Sequence, residues 1–90
     1  MRYNYDPIKK ASNLKKHGLD FEDAKSVIES IQTVTFEDRR FDYGETRYLT
    51  LGLLREVVVI IATAETDKTI RIISMRKADK HEQKIYYENL

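Results

Sequence analysis

Between Thr69 and Tyr87 the sequence TIRIISMRKADKHEQKIYY carries Arg71, Arg76, His81, Glu82, Lys84, Tyr86 and Tyr87. Arginine suits phosphate, because its planar guanidinium offers a rigid fork of N–H donors. Histidine, glutamate, lysine and tyrosine can all hold or move a proton. Scission of RNA by its own 2′-hydroxyl asks for that set: a base, an acid, and cations for the charge that builds on the phosphorane. There is no Walker loop, GxSxG elbow or GxGxxG turn. Chemistry here would rest on dispersed side chains rather than on a compact motif.

Most of these groups read two ways. An arginine in an apolar strand is costly unless its head reaches water or an anion. Arg71 and Arg76, at one edge of a sheet, would repel unless something negative lies between them. A phosphate would serve, and so would pairing with Glu45, Glu56 or Glu82. Strict alternation puts Arg71, Ile73 and Met75 on one side of their strand and Ile70, Ile72, Ser74 and Arg76 on the other. On the last helix Ala78, Glu82, Ile85 and Asn89 form an inward stripe in which Glu82 is the odd member. An acid there invites an arginine partner, Arg71 or Arg76. Arg47 shares a strand face with Glu45 and Leu49. It is either half of an ion pair on a solvated face or a cation on a concave sheet. Tyr86 and Tyr87 either stack on a base or seal the core edge, the commoner fate of a tyrosine on such a helix. His81 sits one position from Glu82, a step that turns it off the inward stripe, so it ranks second.

The elements that must position these residues follow from periodicity and punctuation. Residues 1–5 alternate loosely as a short strand. Asp6-Pro7 reads as an N-cap and first helical residue, opening a helix with Ile8, Ala11 and Leu14 on one face. His17-Gly18 ends it, with Gly18 as the left-handed cap. A second helix starts at Asp20 and carries Phe21, Ala24, Val27 and Ile28 at helical spacing. From Ile31 the period changes to two. Asp38 to Gly44 reads as loop, Glu45 to Leu51 as a strand, and Gly52 to Leu54 as a turn. Glu56 to Thr63 is nearly all apolar and so central, covered on both faces. Ile70 to Met75 is the last strand, and from Lys77 to about Asn89 the chain is helical. The order is β-α-α-β-β-β-β-α. An α+β fold is expected, an antiparallel sheet of four to five strands with two N-terminal helices and one C-terminal helix packed on one face.

Composition bounds the rest. Ninety residues, 41% hydrophobic and 34% charged, specify one globular domain over 1–90. A core this small is expected to lean on a partner. The net charge is +1, so any nucleic-acid binding must come from a local cluster of cations. There is no cysteine, and His17 and His81 do not have metal-ligand spacing, so neither metal nor cofactor is expected. The N-terminus lacks a signal-peptide core, and the longest apolar run, Val57 to Ala62, is too short to span a membrane. A cytoplasmic location is expected.

The sequence also resembles a known family, the BrnT toxins. Tyr5, Asp6, Pro7, Lys9 or Lys10, Asn13, Lys16, His17, Gly18, Phe21 and Ala24 match its opening pattern. Glu45-Thr46-Arg47-Tyr48 with Gly52 matches its middle. Arg71-Ile72-Ile73-Ser74, Arg76, Ala78, Glu82 and Tyr86 match its end. Tyr5 and Tyr48 stand where tryptophan is common, Met75 replaces a usual alanine, and the turn at Leu53-Leu54-Arg55 is shorter than expected. The resemblance implies a RelE-like fold and a metal-independent ribonuclease toxin of a type II toxin–antitoxin system that inhibits translation. It implies a BrnA-type antitoxin partner, in a heterotetramer built on an antitoxin dimer, with operator DNA contacted only through that antitoxin. It points to Arg71, Arg76 and Glu82 as catalytic and to Arg47, Tyr86, His17 and His81 as RNA-binding, although His17 suits a helix-capping role equally well. The competing expectation is a non-catalytic module that pairs with a DNA-binding partner. The two differ in whether arginine substitution abolishes growth arrest.

Overall fold

The computed structural model describes residues 1–90. Strand β1 (Arg2–Tyr5) leads into helix α1 (Pro7–His17), a 3-10 turn (Phe21–Asp23) and a short helix α2 (Ala24–Ile28). Four strands follow, β2 (Val34–Glu37), β3 (Arg47–Leu54), β4 (Val57–Glu65) and β5 (Thr69–Lys77), and then helix α3 (Lys80–Glu88). The sheet order is β1-β5-β4-β3-β2, which makes the apolar β4 central.

The punctuation residues act as their types dictate. The Asp6 carboxylate accepts from the Ile8 N–H at the start of α1, and Gly18 closes it with φ 69°. At the start of α3, Asp79 and Glu82 form a reciprocal capping box. The β3–β4 turn falls at Arg55 and Glu56, with φ 48° and 69°, not at Gly52 to Leu54 as the glycine suggested. Gly52 lies inside β3 for a different reason. A Cβ there would sit 2.7 Å from Val27 Cγ1, so glycine lets α2 approach the sheet.

Two expectations need correction. The sheet is mixed, because β1 pairs in parallel with β5, Arg2 opposite Thr69 through Tyr5 opposite Ile72. Nearly the whole chain separates these strands, so no tight turn forces them antiparallel. The helices also occupy both faces rather than one. Phe21, Ala24 and Val27 pack with Val59, Ile61, Ile72 and Met75 on one face. Ala78 and Tyr86 pack with Val34, Leu51, Val58 and Ile60 on the other.

Helix α1 departs furthest from its pattern. Its one buried residue is Asn13, while Ile8 is 80% and Leu14 47% exposed. Asn13 Oδ1 accepts from the Met75 N–H at 3.1 Å, and its Nδ2 donates to the Met75 carbonyl at 2.8 Å. The amide thus continues the edge ladder of β5 beyond the end of β1. A polar residue, not the apolar stripe, attaches α1 to the sheet.

Candidate active site

On the face that carries α3, the helix covers only one end of the sheet. At the uncovered end the central strand offers Ala62, whose small side chain leaves room above it. A cleft of about 210 Å³ opens there, floored by Leu49, Ile60, Ala62, Ile73 and Ser74. Its polar rim is Asp38, Arg40, Tyr43, Arg47 and Arg76.

A β-bulge gives Arg76 its direction. Ala62 pairs with Ser74 and Thr63 with Ile72, which leaves Ile73 as an extra residue on β5. Strict alternation would put Arg71 and Arg76 on opposite faces, although at the strand's end alternation alone does not fix the direction of Arg76. The bulge resets the alternation and brings both to the face with Arg47 and Ala62.

The cations of the cleft are held in carboxylate pairs. Arg76 Nη1 and Nη2 donate to Glu82 Oε1 and Oε2, both at 2.8 Å, a bidentate fork. Glu82 Oε1 also accepts the Asp79 N–H at 2.9 Å. The Arg76 guanidinium beside Glu82 holds its carboxyl below the usual range, and burial opposes this. Glu82, in turn, makes Arg76 still harder to deprotonate. With its lone pairs committed, Glu82 is a poor base and a good orienting group.

Glu45 bridges Arg47 Nε at 2.8 Å and Arg71 Nη2 at 2.8 Å. Arg47 also lies over the Tyr43 ring at 4.1 Å, a cation–π contact. Asp38, nearly buried, accepts from Arg40 Nε and Nη2 at 2.9 Å each, from the Arg40 N–H, and from the Tyr43 hydroxyl. Hydrogen bonding to Arg40 holds its carboxyl far below the usual range.

The structure thus brings Arg47, Arg71, Arg76 and Glu82 together at one end of this face, but the other expected residues do not reach the cleft. Tyr86 is fully buried and its hydroxyl donates to the Gln32 carbonyl at 2.7 Å, so its ring has no face open to a base. His81 is exposed on the first turn of α3 and does not line the cleft. His17 is half-buried in the last turn of α1, beside the cap, and also lies away from the cleft. Asp38, Arg40 and Tyr43 line the cleft although the sequence marked them only as loop. Their signal was the dense alternation of charge in DRRFDYGETR, which is no more than a solvated loop until the fold folds it back over β3. No cluster of three or more His, Cys, Asp or Glu side chains stands ready to hold a metal ion.

The arrangement is a small α+β protein with a cleft rimmed by arginines, each held by a carboxylate. The family model for the ribonuclease toxin, BrnT, of type II toxin–antitoxin systems matches residues 5–82 of the 90-residue chain, and the chain belongs to that family. Membership in a type II system implies a protein antitoxin as partner. No individual curated protein matches the sequence. No helix is long and apolar enough to cross a membrane.

Proposed function

We propose that this chain is an endoribonuclease, RelE-like in fold, that cuts RNA without a metal ion and so inhibits translation in the cytoplasm. The observation that carries this reading is the Arg76–Glu82 fork beside Arg40 and Arg47 at the mouth of a small-floored cleft. In the reaction the 2′-oxygen attacks phosphorus, the P–O5′ bond breaks, and a 2′,3′-cyclic phosphate and a 5′-hydroxyl result. Arg76 stabilises the phosphorane charge, and Glu82 positions Arg76. Arg71, paired four positions further along β4, holds a flanking phosphate together with Arg47. A BrnA-type antitoxin, as an antitoxin dimer binding two toxin chains, keeps the site closed and carries the operator contact. The purified protein is expected to cut RNA in excess EDTA, and Arg76→Ala to lose that activity while remaining folded. Full activity in the variant would remove Arg76 from the mechanism.

One observation favours a binding module instead. Ile8 and Leu14 project from α1 into solvent, an apolar surface that cleavage does not use. Growth arrest that survives Arg71→Ala and Arg76→Ala would decide for binding.

A further inference from the structure

Three carboxylates pair with arginines at or beside the cleft, Asp38 on its rim and Glu45 and Glu82 behind its arginines, and they differ in what else holds them. Glu82 closes the capping box of α3 as well as the fork with Arg76. Asp38 accepts a backbone N–H and the Tyr43 hydroxyl besides Arg40. Glu45 has only guanidinium partners. Its Oε2 accepts from Arg47 Nε and Arg71 Nη2, both at 2.8 Å, and its Oε1 from the same Nη2 at 3.1 Å. It precedes β3, outside any regular element, with its side chain 29% exposed. Two guanidinia converging on one pair of oxygens is the arrangement a phosphodiester requires. A phosphate placed there would satisfy both arginines, and Glu45 would give up no other contact by turning to water.

We propose that Arg47 and Arg71 form a second phosphate subsite, and that Glu45 is the exchangeable carboxylate that fills it when RNA is absent. The proposal rests on the reading that the cleft takes RNA. Arg71 and Arg76 face Ala64 and Ile60 across the ladder. Those positions are four residues apart on β4, about 13 Å along the strand. Each arginine has its own carboxylate, so the two subsites take different phosphates of one strand. A single nucleotide fills one subsite, whereas an oligonucleotide fills both and displaces Glu45.

The test is binding of a labelled 2′-O-methyl hexanucleotide, which lacks the attacking hydroxyl and cannot be cut, followed by fluorescence anisotropy over a range of salt. Glu45→Gln frees both arginines and is expected to tighten binding several-fold, a gain that disappears when Arg71→Ala is added. Glu82→Gln unlocks Arg76 and is expected to weaken binding. Arg71→Ala alone is expected to flatten the log–log salt dependence by about 0.7, one phosphate of a single strand. Glu45→Gln binding that is unchanged or weaker, with a native near-ultraviolet circular dichroism spectrum, overturns the proposal. So does an unchanged salt slope in Arg71→Ala. The binding pattern is read without turnover. Protein that binds in this way but does not cut RNA refutes the ribonuclease reading and leaves the subsite standing. Protein that cuts RNA while Glu45→Gln gains no affinity does the reverse.

Discussion

Arg76 lies within the stretch the family model matches and Tyr86 just beyond it, and their surroundings give them opposite roles. Arg76 keeps 42% of its side chain exposed while Glu82 fixes its plane. A preorganised donor of this kind contributes on the order of 100-fold or more to a reaction that develops charge. Arg76→Ala is therefore expected to lower RNA cleavage by about that factor, measured with a fluorescent RNA substrate. Glu82→Ala breaks the capping box and the fork together. It is expected to cost about 1–2 kcal/mol in urea denaturation, a figure kept low because the arginine side is half in water. Tyr86 belongs to the core. Tyr86→Phe loses one hydrogen bond, to the Gln32 carbonyl. It should cost about 1 kcal/mol, and cleavage per folded molecule should be unchanged. A folded Tyr86→Phe protein without activity would return the hydroxyl to the chemistry.

Elements with local signals were legible before the structure. The Asp6-Pro7 start, the Gly18 stop, the apolar β4 and the inward acid of α3 are each written in a few adjacent residues. The pairing of Glu82 with an arginine was legible too, because a buried acid needs a partner. What was not legible depends on contacts distant in sequence. The parallel docking of β1 on β5 and the clamp of Asn13 on Met75 join residues more than sixty positions apart. The bulge at Ile73 has no composition signal, since Ile72, Ile73 and Ser74 all suit a regular strand. The cleft's rim came from a loop whose charges looked merely solvated. Glycine misled in one place: Gly52 marks close packing, and the turn uses Arg55 and Glu56 in the left-handed region, which L side chains adopt at a cost. Replacing Arg55-Glu56 by Asn-Gly is therefore expected to raise stability by about 1 kcal/mol. Gly52→Ala is expected to lower it by about 1–3 kcal/mol, as overpacking does. Both are read from the urea midpoint, and a stabilised Gly52→Ala protein would mean that α2 can shift away freely.

The whole molecule balances its charge locally. Glu22, Glu37, Asp38, Glu45 and Glu82 are all held below their usual range, chiefly by hydrogen bonds from Tyr5, Arg39, Arg40, Arg47 and Arg76 respectively. A depressed carboxyl means that the unfolded chain takes up protons first, so stability is complete above the ordinary carboxylate range and falls with pH below it. The urea midpoint is expected to stay level from pH 8 to about pH 5 and then to drop below about pH 4. At the alkaline end the Tyr3 hydroxyl is pushed up to about 12 by burial, with Glu29 adding to it. Its contribution is complete below pH 10, the ordinary tyrosine value, and is lost as pH rises toward 12. A midpoint that falls between pH 8 and 6 would show that these carboxylates do not control stability. The extra residue at Ile73 has a further consequence, for how such a chain can evolve. Because it sets which way Arg76 points, the spacing between Arg71 and Arg76 carries information that the side chains between them do not. Many substitutions at Ile73 would leave the arginines on the same face. Losing a single residue there would turn Arg76 toward the opposite layer, so insertions and deletions, rather than substitutions, are the changes this strand can least survive.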